Sequence, residues 1–541
     1  MSIIASPTPA RTILTRLLLA WLLINAMLLA PHWLVAGTIA GPWVAAESGW
    51  AVGLLALLPR SRWSRRLANF TAFALMLLSL VVLADTVARQ SLARPLNLYL
   101  DVRLLGAVLN LLRGIAGPAV ATLTLPVIVA GAGSMTWLLA RLLAPTETAR
   151  ASWMARLAGV ALIAFSSLAL LAGPANGIAA KISQPAVRVA TQQVRHLFRM
   201  LNERERFEAE MATAPRSYSD LPGLLDRLEG RDVVLGFVES YGMSAVTDPR
   251  YSKVIVPRLH TLARRVAAAH LYLATGALIA PIQGGQSWLG RGSILSGLWL
   301  ENQLRYDLLL ASRRETLIDD FRRAGYRTAA LMPAITLAWP EGERLGYDEI
   351  YARKDIDYAG PALNWVTMPD QFTWSYLEQQ VRRDDDPRPL FAEVGLISSH
   401  APWTPILTVL DDWDAIGDGT IFSRWGGAGK RPRELWRDHD QVRENYALSI
   451  DYAIQAATAY AERYVDDNTL LLVLGDHQPA PIITGENASR AAPVHVITAN
   501  PELLAPFLEW GFIEGGIPDP SRSPPRMDAF RDWFVRALSA P

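Results

Sequence analysis

Four short stretches of this chain place acid, imidazole and hydroxyl side chains where chemistry could be done. Glu239 directly follows the apolar run 233–238, and Asp476 and His477 follow Gly475 at the end of the run 470–474. Ser398, Ser399 and His400 follow the run 390–397. The fourth stretch is Gly284-Gly285-Gln286-Ser287, where two glycines permit a tight turn and Ser287 opens a helix through 293–297. A serine there has backbone N–H groups and the positive end of the helix dipole beside its oxygen, which suits a phosphoryl anion. Singly, each stretch has an ordinary explanation: a helix cap for Glu239 or Ser287, a turn for Asp476-His477, a surface loop for His400. Together, Glu239, Ser287, Asp476 and His477 make an oxygen-and-nitrogen ligand set for a divalent metal, zinc or manganese, with magnesium as a third option. A hydroxyl held by such a cation ionises near neutral pH and becomes a nucleophile. His400 would then bind a non-bridging oxygen or protonate a leaving alcohol.

The elements that must position these groups are legible as texture. The runs 233–238, 328–331, 390–397, 470–474 and 494–498 are continuous and mostly apolar, as expected of strands buried on both faces. Helical patterns at 314–324 and 445–464 lie between them. The alternation predicts an α/β domain over 229–541 with a mainly parallel sheet covered by helices. In such sheets ligands bind beyond the carboxyl ends of the strands, where Glu239, His400 and Asp476-His477 all fall.

The first third differs. Of 541 residues, 51% are apolar and 19% charged, with a net charge of +1, but the balance is uneven. Residues 1–175 hold 13 Arg, no Lys and four acids, whereas the remainder holds 39 basic and 47 acidic residues. Zero Cys excludes disulfides, Cys-zinc sites and Cys nucleophiles. Five apolar runs, at 17–35, 41–58, 67–88, 115–140 and 157–171, approach the length of a bilayer core and predict an α-helical membrane bundle over 1–173. Four further runs behind the first argue against a cleaved signal peptide. Arg11 and Arg16, the cluster Arg60, Arg62, Arg65 and Arg66, and the group Arg141, Arg150 and Arg156 fall on one face if the N-terminus is cytoplasmic. Five spans then put the α/β domain outside. The segment 89–113, with four Arg, runs against that count and has the pattern of an amphipathic helix on a headgroup layer or of a core helix of the bundle. Residues 174–228 read as a juxtamembrane helix resting on the bilayer, followed by a polar linker. His32, His196, His260, His270 and His439 have no chemical context and read as structural.

The motifs resemble the alkaline phosphatase superfamily, and within it the membrane-anchored sulfatase-domain branch that includes lipoteichoic acid synthases and phosphoethanolamine transferases. Phe237-Val238-Glu239-Ser240-Tyr241 matches that branch's metal-binding Glu, Gly475-Asp476-His477 its late metal ligands, and Ser399-His400-Ala401-Pro402-Trp403 its phosphate-contacting His. Ser287 stands where the branch usually has a Thr nucleophile. The resemblance covers about 232–500 by motif, and the first third by architecture. It implies an integral inner-membrane enzyme with a periplasmic catalytic domain. Such an enzyme moves phosphoethanolamine or phosphoglycerol from a membrane phospholipid donor to an envelope glycan or lipid acceptor through a covalent Ser287 ester. No nucleic-acid partner is expected.

Departures qualify the resemblance. A substrate-pocket Trp followed two residues on by Arg in some polyglycerophosphate makers has Trp339-Pro340-Glu341 as its nearest counterpart. His495 falls in a predicted strand, either as a second substrate histidine or as a satisfied core histidine. Ser287, Leu289 and Arg291, with Leu295-Ser296-Gly297, lie in the register of a sulfatase formylglycine signature, but Leu289 replaces its Pro. Arg291 is a candidate substrate contact on that register. Sulfatases also pair Asp residues after the first strand, where this chain has Glu239-Ser240. The rival activity is therefore hydrolysis, by a sulfatase or by a phosphodiesterase or phosphatase.

Overall fold

The structure, a computed structural model, describes residues 9–36, 41–145, 149–171, 181–214, 217–312, 314–382 and 386–539. The chain divides into two compact units, Met1–Gln90 with Arg94–Leu201, and Ser91–Ala93 with Asn202–Pro541.

The first unit is helical: α1 (Pro9–Ala36), α2 (Ala46–Leu57), α3 (Arg62–Leu92), α4 (Leu105–Ala116), α5 (Pro118–Leu143), α6 (Ala149–Leu171) and the first part of α7 (Pro185–Thr213). Among the described residues, Thr12–Leu34, Arg62–Leu92 and Pro118–Leu143 are long and apolar enough to cross a membrane. The expected spans at 41–58 and 157–171 instead give the shorter apolar helices Ala46–Leu57 and Trp153–Leu168. At 1.5 Å per residue α2 reaches about 18 Å, short of a hydrocarbon core of about 30 Å. Part of its expected length is spent on a parallel bridge, Val44–Ala45 with Ile182–Ser183. Arg16 donates to the carbonyls of Arg141 (2.7 Å) and Ala144 (2.8 Å), so two of the Arg groups do share one end of this unit. The segment 89–113 is not one helix. α3 runs on to Leu92, Ala93 takes a φ of 51° and Pro95 follows, before helix resumes at Leu98–Asp101 and α4. Two of its arginines are paired, Arg89 with Asp85 at 2.8 Å and Arg94 with Asp101 at 2.6 Å, which offsets the charge that opposed the expected orientation.

The second unit is built on one eight-stranded sheet. Its strands are β1 (Asp232–Val238), β2 (Tyr272–Ile279), β3 (Arg327–Met332), β4 (Glu349–Ala352), β5 (Leu390–Leu396), β6 (Thr469–Gly475), β7 (Ala491–Thr498) and β8 (Ile513–Glu514), in the order 8-2-7-6-1-5-3-4. β6, β1, β5, β3 and β4 are parallel, but β7, β2 and β8 add three antiparallel pairs. The sheet is therefore mixed, with four parallel and three antiparallel pairings, where a mainly parallel sheet was expected. The link from β6 to β7 holds only the four-residue helix Pro481–Thr484, too little for a crossover that would return β7 parallel.

Helices cover both faces: α8 (Pro249–Ala268), α9 (Ser287–Ser296), α10 (Leu317–Arg323), α11 (His439–Tyr464) and α12 (Phe530–Leu538). Side chains of β1 alternate between the two layers. Val233, Leu235 and Phe237 pack in one core with Ile294, Phe321 and Phe534, while Val234 and Val238 pack in the other with Trp374, Tyr446 and Ile450. A buried ion pair, Arg531–Asp320 at 2.8 Å, ties α12 to α10. What matters for the site is register. Val238 sits opposite both Leu396 and Gly475, so β1, β5 and β6 end level at one edge.

Candidate active site

From that level edge the three strands deliver their next residues side by side. The Glu239 amide donates to the Leu396 carbonyl (3.0 Å), the Asp476 amide to the Val238 carbonyl (3.3 Å), and Ser399 Oγ to the Glu239 carbonyl (2.6 Å). The chain then turns at Ser240, whose φ is 58°. This residue clamps both acids: its amide donates to Asp476 Oδ1 (2.8 Å) and its hydroxyl to Glu239 Oε1 (2.9 Å), while Tyr446 holds its carbonyl from α11 (3.0 Å). Gly475 has no alternative, because a Cβ there would lie 1.8 Å from the Tyr241 carbonyl oxygen.

Ser287 arrives from the other side as the first residue of α9. Gly284, Gly285 and Gln286 all have positive φ (78°, 145° and 66°), which swings the chain into the helix. α9 can lie against the Asp476 backbone because Gly290 faces it; a Cβ there would sit 2.7 Å from the Asp476 carbonyl oxygen. Ser287 Oγ donates to Glu239 Oε2 at 2.9 Å and lies 3.2 Å from His477 Nε2. His477 Nε2 is 3.4 Å from Glu239 Oε1 and 3.9 Å from Asp476 Oδ1.

These groups fit a cation. One ligand atom each from Glu239, Asp476 and His477 lies within 4.8 Å of the others, and all three residues are buried. Asp476 Oδ2 is buried without a hydrogen-bond partner, a costly state for a carboxylate oxygen. His477 Nδ1 meets the Gln478 carbonyl at 2.9 Å and so carries the proton, which leaves Nε2 as a lone-pair donor; metal-binding imidazoles are oriented in the same way. Electrostatics agree. Burial raises the Asp476 carboxyl, and the Glu239 charge raises it further. Burial works against ionised Glu239 as well, but the imidazoles of His477 and His400 outweigh it and hold that carboxyl low. Burial lowers His477, and the two carboxylates more than compensate.

His400 is half-buried beyond β5. Its Nδ1 lies 2.5 Å from the Ala401 carbonyl, so Nδ1 carries a proton and Nε2 is left for another partner. Trp365 packs on its ring at 5.6 Å between centroids.

Three other expected substrate residues are placed elsewhere. Arg291, one turn after Ser287, runs over the Phe237 ring (5.3 Å) toward Met332 Sδ (3.0 Å) and Glu393 (3.9 Å), into the interior beside the sheet. His495 is buried in β7 with Nε2 3.0 Å from Tyr241 Oη and Nδ1 2.9 Å from Thr275 Oγ1, the arrangement of a satisfied core histidine. Trp339 precedes the helix Pro340–Leu345 and packs at 6.3 Å from Tyr347. The residues that sequence reasoning passed over are Ser240 and Tyr446, which clamp the acids. Ser240 adjoins Glu239 and could have been weighed with it, but nothing in the sequence ties Tyr446 to this turn.

Residues 284–495 match the sulfatase family model. The chain carries a sulfatase domain. That stretch marks the chain as an enzyme with a sulfatase-like domain. The matched stretch holds Ser287, His400, Asp476 and His477, while Glu239 comes from β1, ahead of it. No curated protein sequence matches the chain. Among solved structures the chain is similar to the lipoteichoic acid synthase LtaP of Listeria monocytogenes, at 13% identity over 54% of this chain and 70% of that one, with a TM-score of 0.35. It is also similar to the C-terminal periplasmic domain of EptC from Escherichia coli in complex with zinc (16%, 51% and 74%, TM-score 0.33). A third is the Streptococcus pyogenes phosphoglycerol transferase GacH in complex with sn-glycerol-1-phosphate (13%, 50% and 70%, TM-score 0.33).

Proposed function

We propose that this enzyme transfers a phospholipid-derived headgroup, phosphoethanolamine or phosphoglycerol, to an envelope glycan or lipid through a covalent ester on Ser287. The observation that carries the reading is the Ser287 hydroxyl at a helix N-terminus, within 3.2 Å of both Glu239 Oε2 and His477 Nε2 and beside the partnerless Asp476 Oδ2. Glu239, Asp476, His477 and Ser287 Oγ would hold a divalent metal, zinc, manganese or magnesium. When bound, the metal would stabilise the Ser287 alkoxide and the negative charge of the phosphoryl group.

Ser287 Oγ, its proton given up to solvent when the site holds the metal, attacks the phosphorus; a bond forms between them, the bond to the diacylglycerol oxygen breaks, and Ser287 Oγ is released unprotonated again in the second half-reaction. His400, protonated on both nitrogens, gives its Nε2 proton to that leaving oxygen while Nδ1 stays fixed on the Ala401 carbonyl. In the second half-reaction the neutral Nε2 takes the proton of the acceptor hydroxyl, which displaces Ser287 and receives the headgroup. Membrane-length helices on the same chain keep the enzyme in the bilayer that holds such a donor. With a cytoplasmic N-terminus, five crossings would put the second unit on the periplasmic side.

The match to the sulfatase family model favours a second reading, hydrolysis to water. Purified enzyme in phospholipid vesicles with an added sugar alcohol separates the two. Transfer predicts diacylglycerol release together with a phosphorylated alcohol. Diacylglycerol with free phosphorylated headgroup only would favour the hydrolase, and turnover of aryl sulfates alone would favour a sulfatase.

A further inference from the structure

The first half of α7 has three distinct faces. Ala186 and Val189 are buried among the helices of the first unit, and Gln193 accepts from the Leu98 amide and donates to the Leu96 carbonyl. Glu47 caps the helix start by accepting from the Val187 amide at 3.0 Å. At about 100° per residue, Val187, Val194, Leu197, Phe198 and Leu201 fall within an arc of roughly 100° on a second face. They are 41, 54, 48, 64 and 64% exposed, an apolar stripe about four turns long that stays open to solvent among the described residues. Arg188, Arg195 and Arg199 cluster within about 40° of each other on the third face and are exposed. From 181 to 202 the chain has four basic residues and no acidic one. The pattern stops at Glu203, after which Phe207 is buried and Glu203 and Glu210 pair with Arg305 at 2.6 and 2.7 Å.

We propose that residues 185–201 form an interfacial helix that seats this apolar stripe in an anionic phospholipid surface, with the arginine row on the headgroup phosphates. A wide apolar arc beside a basic row is the composition of helices that lie in the headgroup layer. Only 13 residues separate the helix from α6, so it lies close in sequence to the membrane-length helices. Charge selects the occupant: a second copy of this chain would have to offer an acidic, apolar face to the arginine row, whereas an anionic lipid surface offers both properties everywhere. The inference does not depend on the reaction proposed above.

The chain has no native cysteine, so single cysteines report without background. Val194→Cys, Phe198→Cys and Leu201→Cys on the stripe, with Glu205→Cys and Glu208→Cys beyond it, would each carry a fluorophore in the full-length protein. The proteins would be reconstituted in phosphatidylcholine vesicles with or without phosphatidylglycerol and quenched by shallow doxyl-labelled lipid. The proposal predicts quenching about threefold or more stronger on the stripe than at the two glutamate positions. It also predicts that Arg188→Gln with Arg195→Gln and Arg199→Gln weakens stripe quenching only in the anionic vesicles. If one stripe variant does not accumulate, the other two carry the test. Equal quenching at all five positions would overturn the proposal. So would stripe cysteines that cross-link between copies in detergent and are not quenched in vesicles.

Discussion

Asp476 has Oδ1 on the Ser240 amide and 3.9 Å from His477 Nε2, and Oδ2 buried with no donor. Its carboxyl and that of Glu239 repel one another in a space from which water is largely excluded, and a bound cation relieves both costs. Replacing Glu239, Asp476 or His477 with Ala should therefore abolish turnover and lower metal affinity by more than the roughly 10–100-fold that loss of an outer partner costs. The fold should survive, because none of the three side chains belongs to the two apolar cores that hold the sheet. Metal content by elemental analysis with a parallel melting curve checks this, and full metal occupancy in any two of the variants would refute the ligand assignment. His495 gives a prediction of a different kind. Burial pushes its imidazole down to about 4, below the unfolded value of about 6.5. Between those values the unfolded chain binds a proton that the folded chain refuses, so this residue's contribution to stability is present above about pH 6.5 and is lost as pH falls toward 4. Melting curves from pH 7 to 4 should show that decline, and His495→Gln should reduce its slope.

The site depends on elements that approach more closely than side chains allow. At Gly290 an added methyl meets the Asp476 backbone at 2.7 Å, and at Gly475 it meets the Tyr241 carbonyl at 1.8 Å. Gly290→Ala should push α9, and Ser287 with it, off the ligands, costing most of the activity and about 1–3 kcal/mol of stability. Gly475→Ala, clashing more severely inside the sheet, should cost more. Comparing melting temperature with turnover for the two variants tests whether α9 can shift independently of the sheet. The site was partly legible in the sequence for a different reason. Apolar runs ending in Glu239, His400 and Asp476-His477 announced strand ends, and the register levels them at one edge. Strand β2 was not legible, since Tyr-Leu-Ala-Thr-Gly-Ala-Leu-Ile mixes Gly276 and two Ala into the run and lacks a β-branched pattern. Without β2 the antiparallel side of the sheet could not be seen, and neither could the burial of His495 between Tyr241 and Thr275. Arg291 sits in the right register for a substrate contact, but sequence spacing cannot tell that its long side chain turns toward Glu393.

At the scale of the whole molecule the chain joins a helical unit with three membrane-length helices among its described residues to a sulfatase-like domain, and the proposed chemistry needs both. A reporter fused to the C-terminus that works only in the periplasm should be active if all five apolar runs cross: Arg16 and Arg141, which meet at one end of the helical unit, would then lie four crossings apart on the cytoplasmic face, and the fifth crossing would leave the second unit outside. Activity from a cytoplasm-only reporter at that position would reverse the orientation. The central claim is that Ser287 itself carries the headgroup, and the most direct measurement is the intact mass of the full-length enzyme after incubation with phosphatidylethanolamine or phosphatidylglycerol and rapid acid quench. The account predicts an increment equal to the phosphorylated headgroup less water, mapped by peptide sequencing to Ser287, absent in Ser287→Ala and recovered in part in Ser287→Thr. Ser287 recovered as an aldehyde, or an unmodified Ser287 in enzyme that is turning over and trapped under the same conditions, would contradict it.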